Sequence, residues 1–211
     1  MIVDTILAIP TAQLALFITS GLALNVAPGQ DVMFASACGI RGGVRAGMLA
    51  GFGVGLGVLC HVAMATLGLG ALLAAHPGAQ TAVRLVGAGY LLWLAWKSWR
   101  APPADEVSLR NAPPARATAL IGRGALSNLL NPKPVLFLLS FLPQFTNPAW
   151  GPVWQQVLGL GLIFAFTGTL VTMAYGALAG LAREGLARRL GWVNRLAAVM
   201  FAGLALRLVL R

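Results

Sequence analysis

Residues 24–34 read LNVAPGQDVMF and set a carboxylate, Asp31, beside Pro28 and Gly29 inside an apolar run. Proline removes a backbone donor and glycine weakens a helix, so a helix passing through this run must break there. The rest of the chain decides what kind of solvent surrounds the break. Of 211 residues, 58% are hydrophobic and only 9% charged, with mean hydropathy +0.82. Soluble domains carry about 25% charged residues, so this chain cannot cover a water-facing surface. It is an all-α integral membrane protein, because stretches of about 20 apolar residues cross a hydrocarbon core as helices. A carboxylate at that depth costs about 2.5–3.5 kcal/mol even on the lenient insertion scale. Asp31 is therefore expected to face protein or water, not lipid.

Six hydrophobic segments follow from the apolar runs, at about 6–28, 47–75, 80–98, 124–147, 157–182 and 193–210. The loops between them sort by charge. Arg41 and Arg45 follow the first segment; Lys97, Arg100, Arg110, Arg116 and Arg123 follow or border the third; Arg183, Arg188, Arg189 and Arg195 follow the fifth. Loops 76–80 and 146–156 contain no Lys or Arg. The positive-inside rule then predicts three basic loops in the cytoplasm and both chain ends outside. Net charge +10 has this membrane explanation, and no nucleic-acid partner is expected. Arg84 lies near the outer end of its segment and can snorkel, while Arg207 and Arg211 fall toward the outside and run mildly against the map. Trp93, Trp96, Trp99, Trp150, Trp154 and Trp192 fall near segment ends, as an interfacial belt does. The N-terminal MIVDTILAIP lacks the basic region of a cleavable signal peptide and reads as the lead-in to a retained helix.

The second segment carries Gly47, Gly51 and Gly55 in one row and Gly53 and Gly57 in another. Small residues at this spacing let helix backbones approach in lipid. Packing is the favoured reading, with room left for a homodimer. His61 continues the second row and is placed at a helix contact. Cys38 and Cys60 match no disulfide or metal spacing and read as packing residues. No cofactor is expected. An enzyme is not expected either, since no nucleophile, metal cluster or carboxylate pair is visible.

A second break lies in NLLNPKPVLFLLS, from Asn128. Set beside NVAPGQDVMFASA, it pairs Asn128 with Asn25, Val135 with Val32 and Phe137 with Phe34. Three segments per half would turn the second half upside down, the inverted repeat of many secondary transporters. The fold expected is six transmembrane helices as two inverted three-helix repeats, with broken helices at Pro28-Gly29 and Pro132-Pro134. Residues 1–211 form one domain: repeat 1 at about 6–99, a Pro- and Ala-rich cytoplasmic linker at about 100–123, and repeat 2 at about 124–211. Lys133 sits at the second break as Asp31 sits at the first, with Gln30 corresponding to Lys133 in register.

These residues resemble a known family. PGQD after a first apolar segment is similar to the PGP-type signature of the LysE/RhtB family of amino-acid exporters. IRGGVRAGMLAGFGVGLG, VGAGYLLWLAWKSW and NLLNPKPVLFLLSFLPQF resemble the segments that follow it there, the last being the most specific. Gln30 stands in place of the motif's second proline. The resemblance implies proton-coupled efflux of an amino acid or derivative across the bacterial inner membrane.

On that footing the residues expected at a transport site are Asn25, Pro28, Gly29, Gln30 and Asp31 with Asn128, Asn131, Pro132, Lys133 and Pro134. Asp31, Asn25 and carbonyls freed near Pro28 would hold the substrate's α-ammonium. Lys133 and helix amides after Pro132 would hold its α-carboxylate, and protonation of Asp31 would release the ammonium. Two readings of Asp31 and Lys133 stand: a transport site, which is favoured, and an ion pair fastening two broken helices. The absence of a further intramembrane acid favours a neutral substrate of the homoserine, threonine or leucine type. The alternatives are a basic amino acid such as lysine, and a metal ion or other small solute. Asn128 and Asn131 are as readily helix caps. Gln144 could line an exit. Thr167, Thr169 and Thr172 are read as bonding their own helix, and Tyr175 as a residue that could line a path.

Overall fold

The computed structural model describes residues 2–75 and 116–181, with single helical positions between 85 and 100 and between 195 and 206. The third and sixth hydrophobic segments, the linker 101–115, the loop 76–80, and Lys97, Arg110, Arg183, Arg188, Arg189 and Trp192 lie largely or wholly outside the described residues. The described residues hold helices and no strand. In chain order they are α1 (Ile2–Leu7), α2 (Thr11–Val26), α3 (Gln30–Ala75), α4 (Ala117–Leu129), α5 (Pro132–Phe141) and α6 (Val153–Leu181), with 3-10 turns at Leu142–Phe145 and Pro148–Trp150. Among them α3 and α6 are each long and apolar enough to cross a membrane, and α4 with Pro132–Phe145 forms a third candidate span bent by 50°. The protein is a multi-pass membrane protein.

Several expected boundaries move, each for a local reason. The segment read as 6–28 is divided at Pro10, which cannot donate into a helix continuing from α1. The break at Pro28 and Gly29 separates α2 from α3 and lies within a longer run of helix, not at a segment's end. Helix resumes at Gln30 and continues to Gly43, whose φ of 78° turns the chain before the helix runs on over 44–75. The second break falls before the prolines. Leu130 and Asn131 form it, and Pro132 opens α5 at a first-turn position, where its missing N–H would have had no helical partner anyway. Helix α4 starts at Ala117, inside the stretch read as linker 100–123.

The two described halves share an order: helix, break, second helical arm, a glycine with positive φ, then a long apolar helix. Gly43 (φ 78°) and Gly151 (φ 120°) are the turning points, and α2 with 30–42 matches α4 with Pro132–Phe145.

The glycine rows explain the packing. A Cβ on Gly47 would strike the Gly176 carbonyl on α6, and one on Gly53 would strike the Ile121 carbonyl on α4. Thus one row of α3 seats α6 and the other seats α4, so both rows are filled within the chain, in keeping with the packing reading. In lipid the helices gain little hydrophobic free energy from meeting, so such close backbone approach and its dispersion contacts hold them together. An aromatic stack adds to this. Phe137 lies 4.8 Å from Phe141 and 5.0 Å from Phe164 between ring centroids, and Phe17 lies 5.4 Å from Phe145, which ties α2, α5 and α6 into one buried cluster. Cys38 is half-buried and Cys60 is exposed, so Cys60 is not the buried packing residue expected of it.

Candidate functional site

Each proline leaves a carbonyl without its helical donor, because the N–H four residues on is missing. Pro28 strands the carbonyl of Leu24, and Pro132 strands that of Asn128. In both cases a nitrogen from elsewhere in the chain fills the gap. Lys133 Nζ donates to Leu24 O at 2.8 Å and to Ala27 O at 2.8 Å. His61 Nε2 lies 3.1 Å from Asn128 O and donates to it, since a carbonyl can only accept; the Asn131 amide also reaches that oxygen, at 2.9 Å. The Tyr175 hydroxyl donates to Val26 O at 3.0 Å. Lipid offers no substitute for these donors, so the breaks are held open by side chains.

Asp31 joins the first break to the second. Its Oδ2 accepts from Asn128 Nδ2 at 2.9 Å and from Asn131 Nδ2 at 2.8 Å. Asn131 serves two ends at once, because its Oδ1 caps α5 by accepting from the Lys133 amide at 3.0 Å. Asp31 Oδ1 and Asn128 Oδ1 are buried with no hydrogen-bond partner among the described residues. Orphaned acceptors of this kind are uncommon in a settled protein interior.

Asp31 and Lys133 line one hollow of about 30 Å³, together with Asn25, Gly29, Phe164 and Thr172. That is room for about two water molecules. The Lys133 side chain lies in this hollow against Gly29, where a Cβ would stand 3.4 Å from its Nζ. Asn25 donates from Nδ2 to Phe164 O at 3.3 Å and to Thr167 Oγ1 at 3.2 Å, which pins α2 to α6 beside the hollow.

The other expected site residues are placed as follows. Pro28 sits in the break itself, Pro134 lines the hollow, and Pro132 is exposed. Gln30 is exposed and makes only long contacts to Ser127, at 3.4 and 3.5 Å; it does not line the hollow. The amides expected after Pro132 are not available to an anion. Pro132 and Pro134 have none, and that of Lys133 is taken by Asn131. Thr167, Thr169 and Thr172 each donate to a carbonyl of their own helix, at 2.9, 2.7 and 2.8 Å. Gln144 likewise donates to Ser140 O at 2.8 Å. Tyr175 was expected on a path and instead ties the end of α2. That the carbonyl at 128 is freed was legible in the sequence, from the proline at 132, but that His61 meets it was not.

Comparison with known proteins gives a consistent picture. The model of the LysE type translocator family matches residues 22–211. Among similar curated proteins, a homoserine/homoserine lactone efflux protein of Salmonella typhi is 33% identical over 78% of this chain and 79% of its own length. A threonine efflux protein of Escherichia coli K12 is 24% identical over 94% of this chain and 99% of its own. A leucine efflux protein of Klebsiella pneumoniae is 29% identical over 62% of each. No solved structure matches.

Proposed function

Because the chain belongs to the LysE type translocator family, we propose that it exports a small neutral amino acid or close derivative across the bacterial cytoplasmic membrane. The observation that carries this reading is one hollow, between two broken helical runs, lined among the described residues by one acid, Asp31, and one base, Lys133. Opposite charges across a small cavity suit a zwitterion, and irregular backbone at membrane depth is tolerated where it lines such a site. The relatives named for homoserine, threonine and leucine efflux support the substrate class. Among the described residues Asp31 is the only acid lining the hollow, which favours a substrate without a second cationic group. Lys133 in the same hollow repels a bare metal cation.

The architecture proposed is six spans in two inverted three-helix repeats, with alternating access across the breaks. The matched order of elements on either side of Gly43 and Gly151 supports it. Exposed Arg41, Arg45, Arg116 and Arg123 at one set of ends, against a 146–152 turn without Lys or Arg, support cytoplasmic basic loops and outward termini. Protons are the proposed coupling ion, taken up at Asp31.

Counterflow of labelled homoserine, threonine or leucine in vesicles tests the proposal. Uptake of label should accelerate when unlabelled substrate is loaded on the far side. Equal uptake with and without that loading would mark a channel and defeat the carrier reading.

A further inference from the structure

Resting on that exporter reading, the geometry points to a primary-ammonium subsite made of the Leu24 and Ala27 carbonyls, which the protein's own Lys133 fills as a tethered stand-in for the substrate's α-ammonium. Three observations converge on it. Pro28 cannot supply the N–H that Leu24 O would otherwise accept, so this carbonyl is stranded by the sequence itself. Both oxygens lie 2.8 Å from Lys133 Nζ, at the C-terminal end of α2, where the helix dipole is negative. The hollow beside them is too small for an amino acid while the lysine chain lies in it.

A lysine ammonium and an amino acid's ammonium present the same three donors on one nitrogen. What holds one therefore holds the other. Substrate entry must push Lys133 off the carbonyls, and the substrate's ammonium takes its place, within the hollow that Asp31 also lines. The displaced Lys133 then becomes available to the substrate's carboxylate. Departure of substrate lets Lys133 return, so the two broken helices stay tied when no cargo is bound. Apparent affinity in the wild type is lowered by the fraction of time that Lys133 occupies the subsite.

The test uses the purified full chain. In Lys133→Ala, ethylammonium should bind at least about tenfold more tightly than in wild type, because the competing tethered amine is gone; thermal stabilisation is the readout. Tetramethylammonium, which has no N–H, should not stabilise the variant. Equal ethylammonium binding by variant and wild type overturns the subsite. So does equal stabilisation of the variant by the two cations. If Lys133→Ala yields no folded protein, acylation of Lys133 in the wild type decides, followed by mass spectrometry. Threonine methyl ester has the ammonium without the carboxylate, so it should speed Lys133 acylation several-fold by displacing the side chain. An unchanged or slower rate overturns the proposal. Wild-type counterflow separates the two ideas: exchange without the ethylammonium or ester effect sinks the subsite alone, and those effects without any amino-acid exchange sink the exporter reading alone.

Discussion

Asp31 carries the highest stakes of any single side chain, since its Oδ2 gathers the amides of Asn128 and Asn131 and its Oδ1 lies buried without a partner. In Asp31→Asn the remaining carbonyl oxygen can still accept from both amides, so the fold is expected to persist. The negative charge is lost, and hydrogen bonds to a charged group contribute about 1.5–3 kcal/mol. Counterflow should therefore fall by at least about tenfold while thermal stability changes little; unaltered proton-coupled export would remove Asp31 from the mechanism. A double exchange, Asp31→Lys with Lys133→Asp, sets a carboxylate against the Leu24 and Ala27 carbonyls and an ammonium against the Asn128 and Asn131 amide donors, so neither folding nor transport should recover. Recovered folding would favour the fastener reading, in which the two charges hold each other. His61 tests the break itself. It is 3% exposed, and His61→Leu leaves Asn128 O with only the Asn131 amide. Destabilisation of about 0.6–2 kcal/mol is expected, read as a lowered melting temperature in detergent. Asp31 and Lys133 were legible as interior groups because a charge in an oily run has few places to go. Gln30 was misplaced because pairing by register locates a residue along a helix and not around it.

At the scale of elements, the breaks and the glycine rows govern the architecture. The α3 helix meets α6 through Gly47 and Gly176, where each would-be Cβ collides with backbone of the other helix. Backbone cannot retreat as a side chain can, so Gly47→Leu or Gly176→Leu should abolish the monodisperse peak in size-exclusion chromatography. Among the described residues, nothing lies within 4 Å of a would-be Cβ on Gly68 or Gly122. Their alanine variants should fold as well as wild type or gain slightly, by up to about 1 kcal/mol from helix propensity. Equal behaviour of the two sets would refute the close-approach account. The rows could be read from spacing, since four-residue intervals align on a helix face. Which partner each row meets could not, because spacing along one helix does not name the helix that faces it. The bend at Gly43 was also invisible, because a left-handed turn at one glycine among 26 leaves no local mark.

For the whole molecule, charge asymmetry makes an orientation prediction. In a background with Cys38 and Cys60 replaced, Ala149→Cys should react with a membrane-impermeant maleimide added outside cells. Arg41→Cys should react only after lysis. The reverse pattern would invert the proposed topology. The membrane class, the apolar runs that α3 and α6 occupy and the two helix breaks were readable along the chain, because solvent preference and a missing proline N–H are properties of single residues and their near neighbours. The satisfaction of the freed carbonyls required the fold. Lys133 lies 109 positions from Leu24 and His61 lies 67 from Asn128, and no local rule brings such groups within hydrogen-bonding distance. Packing of α3 against α4 and α6 does so, and in a medium without water that packing decides which donor each stranded oxygen receives.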